Sequence, residues 1–204
     1  MRLEEGDPTF TVTGKDAEDN LVPTSPRPQH VVVTYIEPRA DNLKAVGFDI
    51  ASNPVRAAAI DMAIESGTAR VTAPVDLVQE SGTQKGVLIL QPVFAGGSTP
   101  DTPGARATDL RGFAVGVYRL NDLLNATFAG TQWADVDLVL TDVTAGAAPI
   151  VVATHVAPGA HAAGPPVVET IDVAGRTWQL TVQPTTSAPW IHSPTYSVSI
   201  LLSG

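Results

Sequence analysis

Cysteine is absent from all 204 residues, which excludes disulfides, cysteine–zinc sites and thiol chemistry. No apolar run reaches the roughly 18 residues of a spanning helix. The opening MRLEEGDPTF has Glu4, Glu5 and Asp7 where a leader would be apolar, so it does not read as a signal peptide. Basic residues are few: 12 Lys and Arg against 21 Asp and Glu give a net charge of −9. They are also scattered, which argues against nucleic acid as a partner. The four histidines, His30, His155, His161 and His192, lack the spacing of a metal site. There is neither a Gly-x-Ser-x-Gly elbow nor a phosphate-binding glycine loop. Gly96-Gly97 follows a strand but lacks the helix and lysine such a loop needs. No metal or cofactor is expected.

What is present suffices for a packed core: 44% of residues are apolar, enough to offset the entropy of ordering the chain. The length fits one large domain or two small ones. VVVTYI (31–36) is β-branched and aromatic and apolar at both alternate positions. It predicts a fully buried strand, ended by Pro38. Ser52 or Asn53 before Pro54 marks a helix start, and Gly67 marks its stop. The helix between, 54–66, sets Val55, Ala58, Ala59 and Met62 on one face and Ala57, Ile60 and Ile64 opposite. Arg56 falls between the faces, and Asp61 and Glu65 form a narrow polar stripe. Two apolar faces predict packing on both sides, with Ala57, Ile60 and Ile64 under-covered if a second helix is missing.

Strand candidates dominate elsewhere. FTV (10–12) is short, and LVPTSPRPQH (21–30) is an exposed proline-rich connection. ARVTAPVDLV (69–78) alternates, with Pro74 demoting it to an edge or a bulge. GVLILQPVF (86–94) and GFAVGVYRL (112–120) read as central strands. AGGSTPDTPGARATD (95–109) between them reads as a long loop, either a flexible linker or a flap. This pattern predicts an α+β fold, an antiparallel sheet with helices on one face. NDLLNATF (121–128) is a short helix capped by Asn121 or Asp122; it contains the glycosylation sequon Asn125-Ala126-Thr127. A second strand set follows at 136–143, 150–155, 167–175 and 176–183, with a hairpin turn at 174–176. The boundary falls in the short helix, giving domains 1–119 and 120–204. YSVSILLSG (196–204) reads either as a last strand or as the start of a truncated membrane helix. Nine Arg to three Lys suggests a GC-rich bacterial genome.

One ordered set of residues goes further. It runs Tyr35, Glu37 and Pro38, then Asn42, then Gly47, Phe48 and Asp49, then Arg56 early in the helix. Thr72 and Pro74, the strand Gly86–Phe94, the segment Gly112–Leu123 and the strand Thr177–Leu180 continue it. Over 35–182 this set resembles the CHASE domain. That domain is the extracytoplasmic sensor module of histidine kinases and nucleotide or diguanylate cyclases, plant cytokinin receptors among them. The resemblance implies two PAS-like antiparallel sheets in tandem behind a long N-terminal helix, most of which is missing here. It implies a membrane-distal ligand-binding subdomain (1–119) and a membrane-proximal one (120–204). It also implies no enzymatic activity, flanking membrane helices and a homodimeric parent receptor. Ala95 stands where cytokinin receptors carry an adenine-binding Asp, so the implied small-molecule ligand is not a cytokinin.

The expected ligand pocket is on the distal sheet, lined by Phe48, Thr72, Leu90, Phe94, Phe113, Val115 and Tyr118, with Asp49 and Arg119 as charged contacts. Period two separates Leu88, Leu90 and Pro92 from Ile89, Gln91 and Val93; the first set is taken as the pocket face. Asp49 also reads as a turn or helix cap. Paired with Glu37 it would instead suit a hydrolase or carbohydrate-active domain, and a passive extracellular spacer is a third reading. Glu37 with Arg39 reads as a surface ion pair. Arg111 and Arg119 read as solvated strand ends or anion-holding groups.

Overall fold

A computed structural model describes residues 11–16, 20–40, 42–77, 85–131, 135–159 and 161–188. The terminal stretch 196–204 and His192 lie outside them. The chain divides into two compact units, Met1–Val117 and Tyr118–Gly204, and the fold is α+β with antiparallel strand pairing.

In the first unit β1 (Thr13–Lys15) pairs with β2 (Leu21–Pro23). The segment 47–50 is threaded beside β1. Thr13 N–H donates to Gly47 O at 2.9 Å and Asp49 N–H to Thr13 O at 2.8 Å. On its other side Val33 N–H donates to Phe48 O and Ile50 N–H to Val31 O. The predicted buried strand 31–36 is thereby corrected to a single bridge at Val32, and Tyr35 is 70% exposed. The reason is the partner: 3-10 turns at Leu43–Ala45 and Ile50–Ser52 leave it too short to carry a ladder.

Helix α1 (Pro54–Ser66) starts and stops as the sequence predicts. Asn53 accepts from the Val55 and Arg56 amides, Pro54 occupies the first turn, and Gly67 closes the helix at φ 71°. Its packing differs from expectation. Arg56, Ala59, Ile60 and Ala63 are buried. Val55 and Met62 are 36% and 41% exposed, and Ala58 is exposed. One face is covered, not two. Ile60, expected to be under-covered, sits in the core at 2% exposure.

The strand predicted at 69–78 is broken into β3 (Arg70–Val71) and β4 (Val75–Asp76), both paired with β5 (Lys85–Phe94). Val71 faces Ile89 and Val75 faces Gly86, so residues 72–74 oppose only 87 and 88. This is the bulge that Pro74 demands. Thr72 repairs it: its N–H donates to Leu88 O at 2.9 Å, and its hydroxyl accepts the Leu88 N–H at 3.0 Å.

After β5 the predicted loop proves largely ordered. A 3-10 turn (Ala95–Gly97) leads to α2 (Pro103–Asp109), which Thr102 caps by accepting the Ala105 amide. Strand β6 (Leu110–Arg119) follows without a connecting residue and pairs with β5. It is half exposed along its length, so β5, not β6, is the central strand. The core gathers Phe48, Ile50, Ala59, Ile60, Val75, Leu77, Leu88 and Leu90 between α1 and the sheet.

In the second unit α3 (Leu120–Phe128) accompanies a sheet ordered β8-β7-β10-β9. Its strands are β7 (Val136–Asp142), β8 (Ile150–His155), β9 (Val167–Val173) and β10 (Arg176–Pro184). β7 alternates strictly between buried and half-buried residues. The β9–β10 turn is two residues, Ala174 and Gly175, both at positive φ (46° and 84°), the geometry that matches strand twist. Asn121 does not cap α3. Its side-chain oxygen accepts the Thr154 N–H of β8 at 2.9 Å, and Asn125 Oδ1 lies 3.1 Å from His155 Nδ1. Val136, Leu138, Val182 and Ala188 form the core, with Phe128 and Leu180 against them.

Candidate functional site

Asp49 is fully buried. Backbone strain does not hold it there; hydrogen bonding does. Oδ1 accepts the amides of Val31 at 3.0 Å and Ala51 at 3.1 Å. Oδ2 lies 2.9 Å from His30 Nδ1 and 3.5 Å from Arg27 Nε. Arg27 in turn donates to Ala51 O at 2.7 Å. The carboxylate ties the stretch 27–31 to its own stretch 49–51, and both oxygens are occupied. Glu37 is engaged elsewhere, accepting the Tyr35 hydroxyl at 3.3 Å on the surface. The two carboxylates therefore do not form the acid–base pair a hydrolase would need.

The other expected pocket residues separate into groups. Phe48 (2% exposed) and Leu90 (0%) belong to the core beneath α1, and Phe94 is 7% exposed. Thr72 is fully buried and its hydroxyl is taken by the bulge. Phe113 and Val115 of β6 pack against the same apolar cluster but stay half-buried, so the cluster reaches the surface at β6. Tyr118, 41% exposed, and Arg119 lie at the end of β6 within the second unit. Arg119 approaches Asp122 at 3.8 Å.

Three charged groups are more deeply placed than sequence reasoning expected. Arg56 is 3% exposed. It donates to Asp76 O at 2.6 Å and lies 5.3 Å from the Phe48 ring centre, within range of a cation–π contact. Burial pushes its pKa down, with Asp76 opposing. Asp76 itself pairs with Lys85 at 2.7 Å, and Arg56 Nε has no hydrogen-bond partner among the described residues. Arg106 is 9% exposed and donates only to backbone carbonyls. Asp142, 2% exposed, meets Arg176 Nε at 2.5 Å and accepts the Thr144 amide and hydroxyl. Burial raises the Asp142 pKa, but the bonds from Arg176 and Thr144 outweigh it and hold the carboxyl below its usual range. No sequence motif marks Arg56 or Arg106 as buried, because Arg56 reaches the Asp76 carbonyl and Arg106 those of Ile64 and Glu65, 20 to 42 positions away. The Thr102-Pro103 start signal of α2, by contrast, was available.

Among the described residues no three His, Asp or Glu side chains converge on a metal site, and no helix is long and apolar enough to cross a membrane. A family model described as CHASE domain matches residues 1–152. No curated protein matches the chain.

Proposed function

The chain belongs to the CHASE domain family, matched over residues 1–152 of its 204, and on that premise we propose that it reads a small molecule on behalf of a transmembrane signalling receptor. CHASE domains are extracytoplasmic sensor modules of such receptors and are not catalytic. On our reading the two α+β units are PAS-like and stand in tandem. The first is the membrane-distal, ligand-binding subdomain and the second the membrane-proximal one. The parent is a homodimeric bacterial histidine kinase or diguanylate cyclase with flanking membrane helices. Ala95 in place of an acid argues for a ligand other than a cytokinin.

The observation that carries the site is the uneven cover of the first core. The cluster is closed at Leu90 and Phe48 but only half covered at Phe113 and Val115. A half-covered apolar face with few polar groups is what small-molecule sites offer. A ligand bound there signals only through unequal affinity for two arrangements of the domain. The test is a thermal-shift screen of small metabolites. A ligand at a hundred times its Kd adds about 2.7 kcal/mol. Val115→Trp, which fills the half-covered face, should abolish that shift while leaving the ligand-free fold intact. A shift that survives Val115→Trp would move the site elsewhere, and a screen without hits would remove the small-molecule reading.

A further inference from the structure

The last carbonyls of any helix lack partners within the helix. In α1 Ala63 O accepts the Gly67 N–H, and the next two carbonyls are met by one side chain from another element. Arg106 of α2 donates through Nε to Ile64 O at 2.9 Å and through Nη2 to Glu65 O. Its Nη1 donates to Pro100 O at 2.9 Å and Asp101 O at 3.1 Å. One guanidinium thus ties the negative end of α1 to the turn that precedes its own helix. Arg106 is the only buried residue between Ala95 and Leu110.

The seat is tight and the ends are loose. A Cβ at Gly67, the α1 stop, would come within 2.5 Å of Thr99 Cγ2 and 2.8 Å of Arg106 Cδ, so the segment rests on bare backbone. Gly96 (φ 79°) and Gly97 (φ 77°) stand at its start and Gly112 (φ 149°) just inside β6, each with nothing within 4 Å of where a Cβ would be. Glycine at such positions rotates at little steric cost.

We propose that residues 98–109 form a strap that hinges at Gly96-Gly97 and at the junction of α2 with β6, has Arg106 as its single buried side-chain anchor, and opens as a unit while β5 and β6 stay paired. A segment with a single buried anchor opens at lower free energy than the core it covers. Here the anchor is a fork of charge-assisted bonds, strong but concentrated in one residue. Such an element has the two discrete positions that a sensor needs, yet its opening does not depend on the ligand reading and is tested without ligand.

Native-state hydrogen exchange of the full chain in sub-denaturing urea provides the test. The Ala105 and Arg106 amides, bonded to Thr102, should exchange through an opening that urea does not promote. The Thr72 amide, bonded to Leu88 O, should exchange only through urea-promoted unfolding. Arg106→Ala should speed strap exchange about tenfold or more, the equivalent of one lost charge-assisted bond, and leave Thr72 unchanged. Methylguanidinium, at concentrations far below those that denature, should slow it again by refilling the carbonyl cage. Strap amides with the same urea dependence as Thr72 would overturn the proposal, and the wild-type chain settles that even if Arg106→Ala does not fold. An exchange rate in Arg106→Ala within about twofold of wild type, or no response to methylguanidinium, would overturn the latch.

Discussion

Removing the Asp49 carboxylate should unfold the first unit at markedly lower denaturant, and the size of the effect follows from its four neighbours. Asp49→Ala strands two half-buried amides, Val31 and Ala51, that now donate to Oδ1. Each buried donor left unsatisfied costs about 1–3 kcal/mol. The ionic partners add less. Arg27 and His30 side chains are 30% and 31% exposed, so water competes with the carboxylate and a contribution of about 0–1 kcal/mol is appropriate. Water reaches the half-buried amides and holds each near the low end of its range, so the expected loss is about 2–4 kcal/mol. Asp49→Asn separates the terms. Its oxygen still serves Val31 and Ala51, while its amide nitrogen turns a donor toward Arg27, so it should cost only about 1–2 kcal/mol. The assay is urea unfolding followed by far-UV circular dichroism. Tryptophan fluorescence would miss the event, since Trp133, Trp178 and Trp190 all fall in the second unit. Equal losses for the two variants, or losses below about 0.5 kcal/mol for both, would refute the view that Asp49 holds this part of the fold together. A normal midpoint in Asp49→Asn together with a lost ligand shift would instead return Asp49 to the pocket.

Thr72→Val should destabilise by about 1–3 kcal/mol, because the buried Leu88 amide loses the hydroxyl that accepts it; Thr72→Ser, which keeps the oxygen, should cost distinctly less, and indistinguishable urea midpoints for the two would show the hydroxyl to be idle. Asp142 predicts an acid limb to stability. Its folded pKa is depressed below the unfolded value of about 3.9, so the unfolded chain binds more protons between the two. Its contribution is whole above about pH 4 and is lost as pH falls through the folded value. Asp142→Asn should flatten the midpoint-against-pH curve in that window, and curves that run parallel would contradict the assignment.

The elements legible in the sequence were those decided by neighbours along the chain. Asn53-Pro54 and Gly67 bracket α1 because capping is local, and Ala174-Gly175 announces its hairpin because a two-residue turn needs both residues at positive φ. Thr102-Pro103 carries the same start signal as Asn53-Pro54, yet the many turn-forming residues around it read as a loop, and α2 was missed. What stayed hidden depends on partners far away in sequence. VVVTYI has strand composition, but only the short segment 47–50 is available to pair with it. The period of α1 set Ala59 and Ile60 on opposite faces, whereas both are buried on one side with Arg56 and Ala63 while Val55 and Met62 face solvent. Asp49 was read both as a cap and as a pocket acceptor. It does cap the Ile50–Ser52 turn, accepting the Ala51 amide, while its bonds to Val31, His30 and Arg27 span 18 to 22 positions of sequence and leave no local trace.

The bond from Asn121 to the Thr154 amide has a consequence for how the second sheet meets other chains. The outward amides of a border strand are a template on which any extended peptide can crystallise as one more strand. On β8 that template is interrupted by a carboxamide from α3, so polymerisation by strand addition is blocked there by a helix. β9, at the other border, turns Glu169, Thr170 and Asp172 to solvent and discourages the same event by charge. Asn121→Leu would leave the Thr154 amide without its acceptor, and should raise the tendency of the β8 border to take on a further strand, read as concentration-dependent light scattering.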